Sequence, residues 1–191
     1  MRKSGLASLA MFYCDFRDGK KRDLRGLVSS VLVQLCHQSD SYCDILSKFY
    51  LGHDKGSQDP GEDELASCLK EIMGFPGQAP IFLIVDGLDE CPDTTSLPSP
   101  REEVLLLLKD LIDIQLPNLR ICVTSRPEVD IKLVLDPLTF RSISLHDEKG
   151  QKEDIEKYIR SVVTTSGKMR RLKLEQKELV IDVLTKRADG M

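Results

Sequence analysis

One short apolar run constrains the fold of this chain more than any other feature. Residues 81–85 read IFLIV, with Pro80 before them and Asp86-Gly87 after them. The run has no alternating polar positions, which is typical of a strand covered on both faces in a parallel sheet. Such a sheet needs helices to cover it, so the run predicts an α/β fold.

Strand and helix patterns alternate along the rest of the chain. Apolar runs predict further strands at 7–14, 119–124 and 140–145. Apolar positions at helical spacing predict helices around 24–35, 42–51, 65–73, 100–115, 155–163 and 180–184. A capping box with proline at the first helical position, Ser99-Pro100-Arg101-Glu102, begins the fourth of these helices. This order predicts one three-layer α/β domain over residues 1–191, a parallel sheet with helices on both faces.

The charge balance excludes a general nucleic-acid binder. The 191 residues include 27 Lys and Arg against 31 Asp and Glu, a net charge of −4, whereas nucleic-acid affinity depends on clustered cations. No apolar run approaches the ~20 residues of a membrane-spanning helix, and no secretory signal is visible. The six cysteines show no C-x-x-C spacing. We therefore expect reduced, mostly buried thiols in a cytoplasmic protein with no nucleic-acid or membrane partner.

Three acids follow the central apolar run within five residues. They are Asp86, Asp89 and Glu90. Carboxylates this close repel one another unless a cation or basic groups offset them, and Mg²⁺ is a hard ion that binds such oxygens. Beside a phosphate-binding loop this is the Walker B arrangement, in which Asp86 holds Mg²⁺ and a later acid orients the attacking water. The alternative is an acidic turn in which Asp86 caps the next element.

A second polar cluster ends the next strand. Thr124, Ser125 and Arg126 close it, and Pro127 stops the strand ladder because proline has no N–H to donate. Ligands of parallel sheets bind beyond the carboxyl ends of the strands, where the forked, permanently charged head of Arg126 suits a terminal phosphate. The alternative is an ion pair between Arg126 and a Walker B acid or Glu128.

A phosphate cradle is missing from the sequence. Nucleoside triphosphatases of this type use G-x-x-x-x-G-K-[ST], whose backbone N–H groups and lysine hold the phosphates, and the chain contains no such motif. Lys3-Ser4 precedes a strand-like run instead of opening a helix, so we assign it to a surface turn. The basic stretch 17–25 is interpreted as the solvated start of a helix.

Taken together, these blocks resemble the NACHT class of signalling NTPases, in the STAND group of P-loop proteins. The chain is most similar to the nephrocystin 3-like N-terminal domains that are common in fungal NLR-like proteins. Residues 6–18 resemble the family's second strand and the loop after it, 86–91 its Walker B block and 124–128 its sensor 1 block. Residues 187–191 resemble the start of the segment that leaves the NTPase core.

The resemblance implies a nucleotide site made of these residues. By it, Asp86 coordinates Mg²⁺, and the catalytic acids Asp89 and Glu90 support the positioning of metal and water. The implied cofactor-binding residues are Arg126, which senses the terminal phosphate, together with Thr124 and Ser125. The implied cofactors are Mg²⁺ and ATP or GTP in the complete domain. The implied partners are the nucleotide, other domains of the same protein and a second copy of the chain.

The resemblance also implies that the family's first strand and P-loop are absent, which leaves an incomplete P-loop NTPase-like fold. Either the sheet keeps three strands (7–14, 81–86, 119–124) with 140–145 displaced, or 140–145 pairs directly with 119–124. We expect a fragment of a signalling NTPase switch that is inactive alone and exposes apolar surface at the gap. Two alternatives stay open. One is a non-enzymatic interaction module that keeps the fold, and the other is a different α/β enzyme whose acids bind a metal without nucleotide.

Overall fold

Three parallel strands form the sheet in the computed structural model, which describes residues 6–144 and 151–187. They are β1 (Ser8–Tyr13), β2 (Ile81–Asp86) and β3 (Leu119–Val123), in the order β1-β2-β3. Tyr13 lies opposite Asp86, and Val85 lies opposite Val123. The carboxyl ends of all three strands therefore meet at one edge of the sheet, and the first three predicted strands are confirmed.

The helices divide between two compact units, residues 1–139 and 140–191. Those of the first unit are α1 (Leu24–Cys36), α2 (Asp40–Gly52), α3 (Glu62–Met73), α4 (Pro100–Asp113) and α5 (Val129–Leu135). The second unit contains α6 (Gln151–Thr165) and α7 (Leu174–Arg187), which pack against each other and bury Val163 and Ile181. No described helix offers the continuous apolar length that a bilayer crossing demands.

The predicted capping box begins α4. Ser99 Oγ accepts a hydrogen bond from the Glu102 N–H at 3.2 Å, and the Ser99 N–H donates to the Glu102 carboxylate at 3.4 Å. Pro100 occupies the first helical position, where its missing N–H costs nothing. The start of this helix is therefore fixed by its own sequence.

The sheet is packed on one face, in contrast to the predicted cover on both. Ile81, Leu83 and Val85 of β2 are fully buried and join α1, α3 and α4 in one hydrophobic core. Phe82, between the first two of them, and Cys122 of β3 are exposed. Strand order explains the difference. Right-handed crossovers that advance in one direction place their helices on the same face, and the order β1-β2-β3 contains no reversal. The predicted three-layer arrangement is therefore wrong for the described part of the first unit, which has two layers, the sheet and the helices on one of its faces.

The strand predicted at 140–145 is wrong for the residues that can be described. Residues 140–144 form no strand, and Leu145 lies outside the described residues. Phe140 is fully exposed and Ile143 is 60% exposed, so the alternating pattern has no sheet to pack against. Among the described residues the sheet has three strands, as in the first of the two predicted arrangements.

Two glutamines of α1 cover the open edge of β1. Gln34 Nε2 donates to the Met11 carbonyl at 2.7 Å, and the Met11 N–H donates back to Gln34 Oε1 at 3.0 Å. Gln38 makes the same pair of bonds with Leu9, at 2.8 and 2.9 Å. The two amides, one helical turn apart, thus take the place of a neighbouring strand and protect an edge that would otherwise pair with other chains.

We expect Gln34→Ala to lower the free energy of unfolding by about 1–3 kcal/mol, because it leaves the half-buried amide and carbonyl of Met11 without partners. Urea unfolding measures the loss, and size-exclusion chromatography reports any edge-to-edge association. Gln58→Ala is the control, since the Gln58 side chain is exposed and bonds the carboxylate of Asp54. That variant should change stability by less than about 0.5 kcal/mol. Equal losses in the two variants would contradict the edge role.

Candidate functional site

The acidic segment turns sharply at the end of β2. Gly87 has φ of 70°, in the left-handed region that glycine adopts without strain. A short 3-10 helix, Leu88–Glu90, follows it. Leu88 is fully buried, and its N–H donates to the Thr124 carbonyl at 2.9 Å. The apolar residue between the acids therefore anchors the turn to the end of β3.

Thr124 connects the first acid to β3. Its hydroxyl donates a short hydrogen bond to Asp86 Oδ1 and accepts one from the Gly87 N–H at 3.0 Å. Its own N–H donates to the Val85 carbonyl at 2.9 Å, which continues the β2–β3 ladder by one residue. Asp86 and Thr124, which sequence analysis predicted as separate site residues, are thus in direct contact, and the hydroxyl fixes the orientation of the carboxylate.

Arg126 is in contact with the second acid. Its N–H donates to Asp89 Oδ1 at 3.0 Å, and its Nε lies 3.5 Å from Asp89 Oδ2. The Asp89 side chain is 13% exposed, whereas that of Arg126 is 81% exposed. Ion pairs with so exposed a partner contribute little free energy. The backbone bond therefore holds Asp89, while the guanidinium remains at the solvent side of the pair.

Glu90 and Ser125 take no part in these two contacts. The Glu90 N–H donates to the Gly87 carbonyl at 2.8 Å, and Ser125 is exposed. In the loop that follows β1, Arg17 pairs with Asp15 at 3.0 Å. Asp15, and after it Glu90, raise the pKa of Arg17. Loops after β1, β2 and β3 therefore converge at the carboxyl edge of the sheet.

Arg101, in the first turn of α4, bonds the backbone of residues 87–91, which we call the acidic loop. Its Nη2 donates to the Asp89 carbonyl at 2.8 Å, and its Nε donates to the Cys91 carbonyl at 2.9 Å. Its Nη1 is 3.2 Å from Asp130 Oδ2, and the side chain is 11% exposed. Sequence analysis assigned Arg101 to the helix start alone, because no local pattern shows that a distant loop will bring two carbonyls to it.

The carboxylates at this edge fit a metal ion that arrives with further ligands. Among the described residues, no group of three or more His, Cys, Asp or Glu side chains is placed to hold a metal ion. Mg²⁺ in nucleotide sites is typically held by one or two carboxylates, with phosphate oxygens and waters completing the shell. Asp86 with the adjacent Thr124 hydroxyl fits that pattern and does not form a protein-only metal cage.

The fold and the site define an α/β protein that gathers three acids and an arginine at the carboxyl edge of a parallel sheet, a layout compatible with Rossmann-like proteins. A family model described as nephrocystin 3, N-terminal, matches residues 1–126, about two thirds of the chain. The chain therefore belongs to the nephrocystin 3, N-terminal family, and this part of the predicted resemblance is confirmed. The match includes all three strands and ends at Arg126. No curated protein and no solved structure matches the chain.

Proposed function

We propose that this chain carries the Mg²⁺ and terminal-phosphate side of a signalling NTPase of the NACHT/STAND type. In the complete protein the module is a switch that binds and hydrolyses ATP or GTP and signals to other domains of the same protein or to a second copy. The observation that carries the proposal is the contact between residues at the carboxyl ends of β2 and β3, where the Thr124 hydroxyl and the Arg126 N–H each bond an acid. Thr124 bonds Asp86 and Arg126 bonds Asp89 at the strand ends, where ligands of parallel sheets bind.

The contacts of each side chain support a particular role. Asp86, oriented by Thr124, would hold the metal ion. Arg126 would exchange its exposed pair with Asp89 for a terminal phosphate oxygen, at little cost because that pair is weak. Asp89 and Glu90 would then orient the attacking water. When bound, Mg²⁺ would supply the positive charge that neutralises the phosphate oxygens, and the nucleotide would supply the phosphate bond that is cleaved.

The chain by itself is proposed to be a poor nucleotide binder. Positioning of the phosphates provides most of the catalysis of phosphoryl transfer, and the sequence has no G-x-x-x-x-G-K-[ST] to position them. Ser125, exposed beside Arg126, offers one hydroxyl at the site, which does not replace a ring of backbone N–H groups. A cytoplasmic location, where nucleoside triphosphates are abundant, is part of the same proposal.

The test is to add a phosphate-binding loop of the kind that the sequence lacks. A strand, G-x-x-x-x-G-K-[ST] loop and helix from another member of the family is fused before residue 1, and thermal unfolding is followed with Mg-ATP, Mg-GTP and Mg-ADP. We expect stabilisation of the fused protein by about 2.7 kcal/mol when the nucleotide is at 100 times its Kd, and no response of the chain alone.

Two site variants and one control variant are measured in the same experiment. Asp86→Asn keeps the shape and the Thr124 contact but loses the charge, so the Mg²⁺-dependent stabilisation should disappear. Arg126→Ala should remove the preference for the triphosphate over the diphosphate. Asp93→Asn changes an exposed acid in the next loop and should leave nucleotide stabilisation unchanged. A folded fusion protein that ignores all three nucleotides would refute the proposal.

A second candidate is a non-enzymatic interaction module that keeps the fold. Arg126 contacts both carboxylate oxygens of Asp89. The carboxylate therefore has a partner within the chain and does not require a bound ligand. The sheet face opposite the core also exposes apolar side chains, including Tyr13 and Phe82, which is common at interaction surfaces. The fusion experiment separates the two candidates, because the interaction module predicts no nucleotide response with the cradle in place.

A further inference from the structure

Two buried thiols are in contact beside the acidic loop. Cys14 directly follows β1, and Cys91 directly follows the 3-10 helix Leu88–Glu90. Their sulfur atoms are 3.4 Å apart, although the residues are 77 positions apart in the chain. Cys14 is 7% exposed and Cys91 is fully buried, and both are free thiols. A disulfide has an S–S distance of about 2.05 Å, so the sulfurs need to approach by roughly 1.4 Å.

The backbone on both sides of this pair is held in place. The Cys14 N–H donates to the Asp86 carbonyl at 2.9 Å, which extends the β1–β2 ladder. The Cys91 carbonyl accepts from Arg101 Nε at 2.9 Å, and the Cys91 N–H donates to the Leu88 carbonyl at 3.1 Å. Because both ends are anchored, the thiols stay together in the folded chain.

The other cysteines make different contacts. Burial, and after it the neighbouring Cys43, raises the pKa of Cys36 to about 11. Cys36 Sγ donates to the Tyr42 carbonyl at 3.4 Å, and Cys43 Sγ donates to the Cys36 carbonyl at 3.2 Å. Cys68 is buried inside α3, and Cys122 is exposed on β3. Among the described residues, Cys14 and Cys91 are the pair with a direct sulfur–sulfur hydrogen bond, whereas the sulfurs of Cys36 and Cys43 bond backbone carbonyls.

We propose that Cys14 and Cys91 form a reversible dithiol–disulfide site, at which hydrogen peroxide closes a covalent link between the end of β1 and the loop after β2 that carries Asp89 and Glu90. The link would fasten this loop to a neighbouring strand and restrict its movement. The proposal does not depend on nucleotide binding, since it concerns only the thiol pair and the loop.

The reaction proceeds in two balanced steps. The Cys91 sulfur, as its thiolate, attacks one oxygen of the peroxide. A sulfenic acid forms on Cys91, and the second oxygen leaves as hydroxide, which takes up the released proton as water. The Cys14 sulfur then attacks the Cys91 sulfur, the S–S bond forms, and the sulfenic oxygen leaves with the Cys14 proton as water. Two thiols are oxidised and one peroxide is reduced to two waters.

Tryptic mapping of the intact chain tests the proposal directly. Cleavage places Cys14 in peptide 4–17 and Cys91 in peptide 71–101, while the remaining cysteines fall in 26–48, 56–70 and 121–132. Dilute native protein is treated with hydrogen peroxide, its free thiols are alkylated, and the digest is analysed without reductant. We expect peptides 4–17 and 71–101 to be linked, with a loss of about 2 Da relative to the sum of the two peptides. Dithiothreitol should separate them.

Folding and variant controls distinguish this site from general oxidation. The linked protein should unfold at a temperature higher by roughly 10 °C, because the bond closes a long loop in the unfolded chain. Cys14→Ser and Cys91→Ser should each lose both the link and this shift, whereas Cys36→Ser should keep them. A native wild-type protein in which peptide 4–17 stays alkylated, or is linked to another peptide, would overturn the proposal whether or not the serine variants fold.

Discussion

Replacing Arg101 with methionine is expected to lower the free energy of unfolding by about 3–5 kcal/mol. The guanidinium is almost buried and bonds the carbonyls of Asp89 and Cys91, at 2.8 and 2.9 Å. Methionine fills similar space but leaves both carbonyls without a donor, at about 1–3 kcal/mol each. The bond to Asp130, whose side chain is 41% exposed, adds little. Urea unfolding measures the loss.

Two further variants decide whether the loss comes from the buried carbonyls. Arg101→Lys keeps the charge but has a single donor head, so it should lose most of the stability that methionine loses. Lys109→Met, on the same helix, removes an exposed pair with Asp113 at 2.6 Å and should cost less than about 0.5 kcal/mol. If Arg101→Met costs no more than Lys109→Met, the acidic loop does not depend on this arginine.

The elements that sequence analysis located correctly are those with local signals. The helix α4 begins at Pro100 because Ser99 and Glu102 cap it, and all three residues lie within four consecutive positions of the chain. β2 was visible as an apolar run because its core-facing residues and Phe82 are all apolar. The meeting of Asp86 with Thr124 was also foreseeable, since neighbouring parallel strands end at one edge.

The features that sequence analysis missed depend on residues far apart in the chain. Arg101 meets carbonyls 10 and 12 positions away, and Gln34 meets Met11 across 23 positions. An arginine at a helix start and a glutamine within a helix are ordinary surface residues in sequence, so nothing local marks them. The strand predicted at 140–145 failed for the same reason, because alternation says nothing about whether a sheet edge is available. The role of each acid at the site stays a prediction.

The strongest test of whether the sheet is packed on only one face compares two neighbouring residues of β2. Leu83 is fully buried against the helices, whereas Phe82 points to the opposite face and is 39% exposed. Leu83→Ala leaves a cavity at the centre of the core and should lower the free energy of unfolding by about 3–5 kcal/mol. Phe82→Ala removes a larger side chain that is already partly in water, so its cost should stay below about 2 kcal/mol.

Urea unfolding of the two variants separates the two descriptions of the sheet. A sheet with helices on both faces would make the phenylalanine at least as costly to truncate as the leucine, because a buried Phe→Ala change costs about 3–5 kcal/mol. A sheet with one packed face reverses that order, since the smaller side chain then matters more. Comparable losses at Leu83 and Phe82 would mean that the second face is covered in solution, as the unbroken apolar run from 81 to 85 predicts. The strand order β1-β2-β3 favours the unequal result, because it gives the crossover helices only one face to occupy.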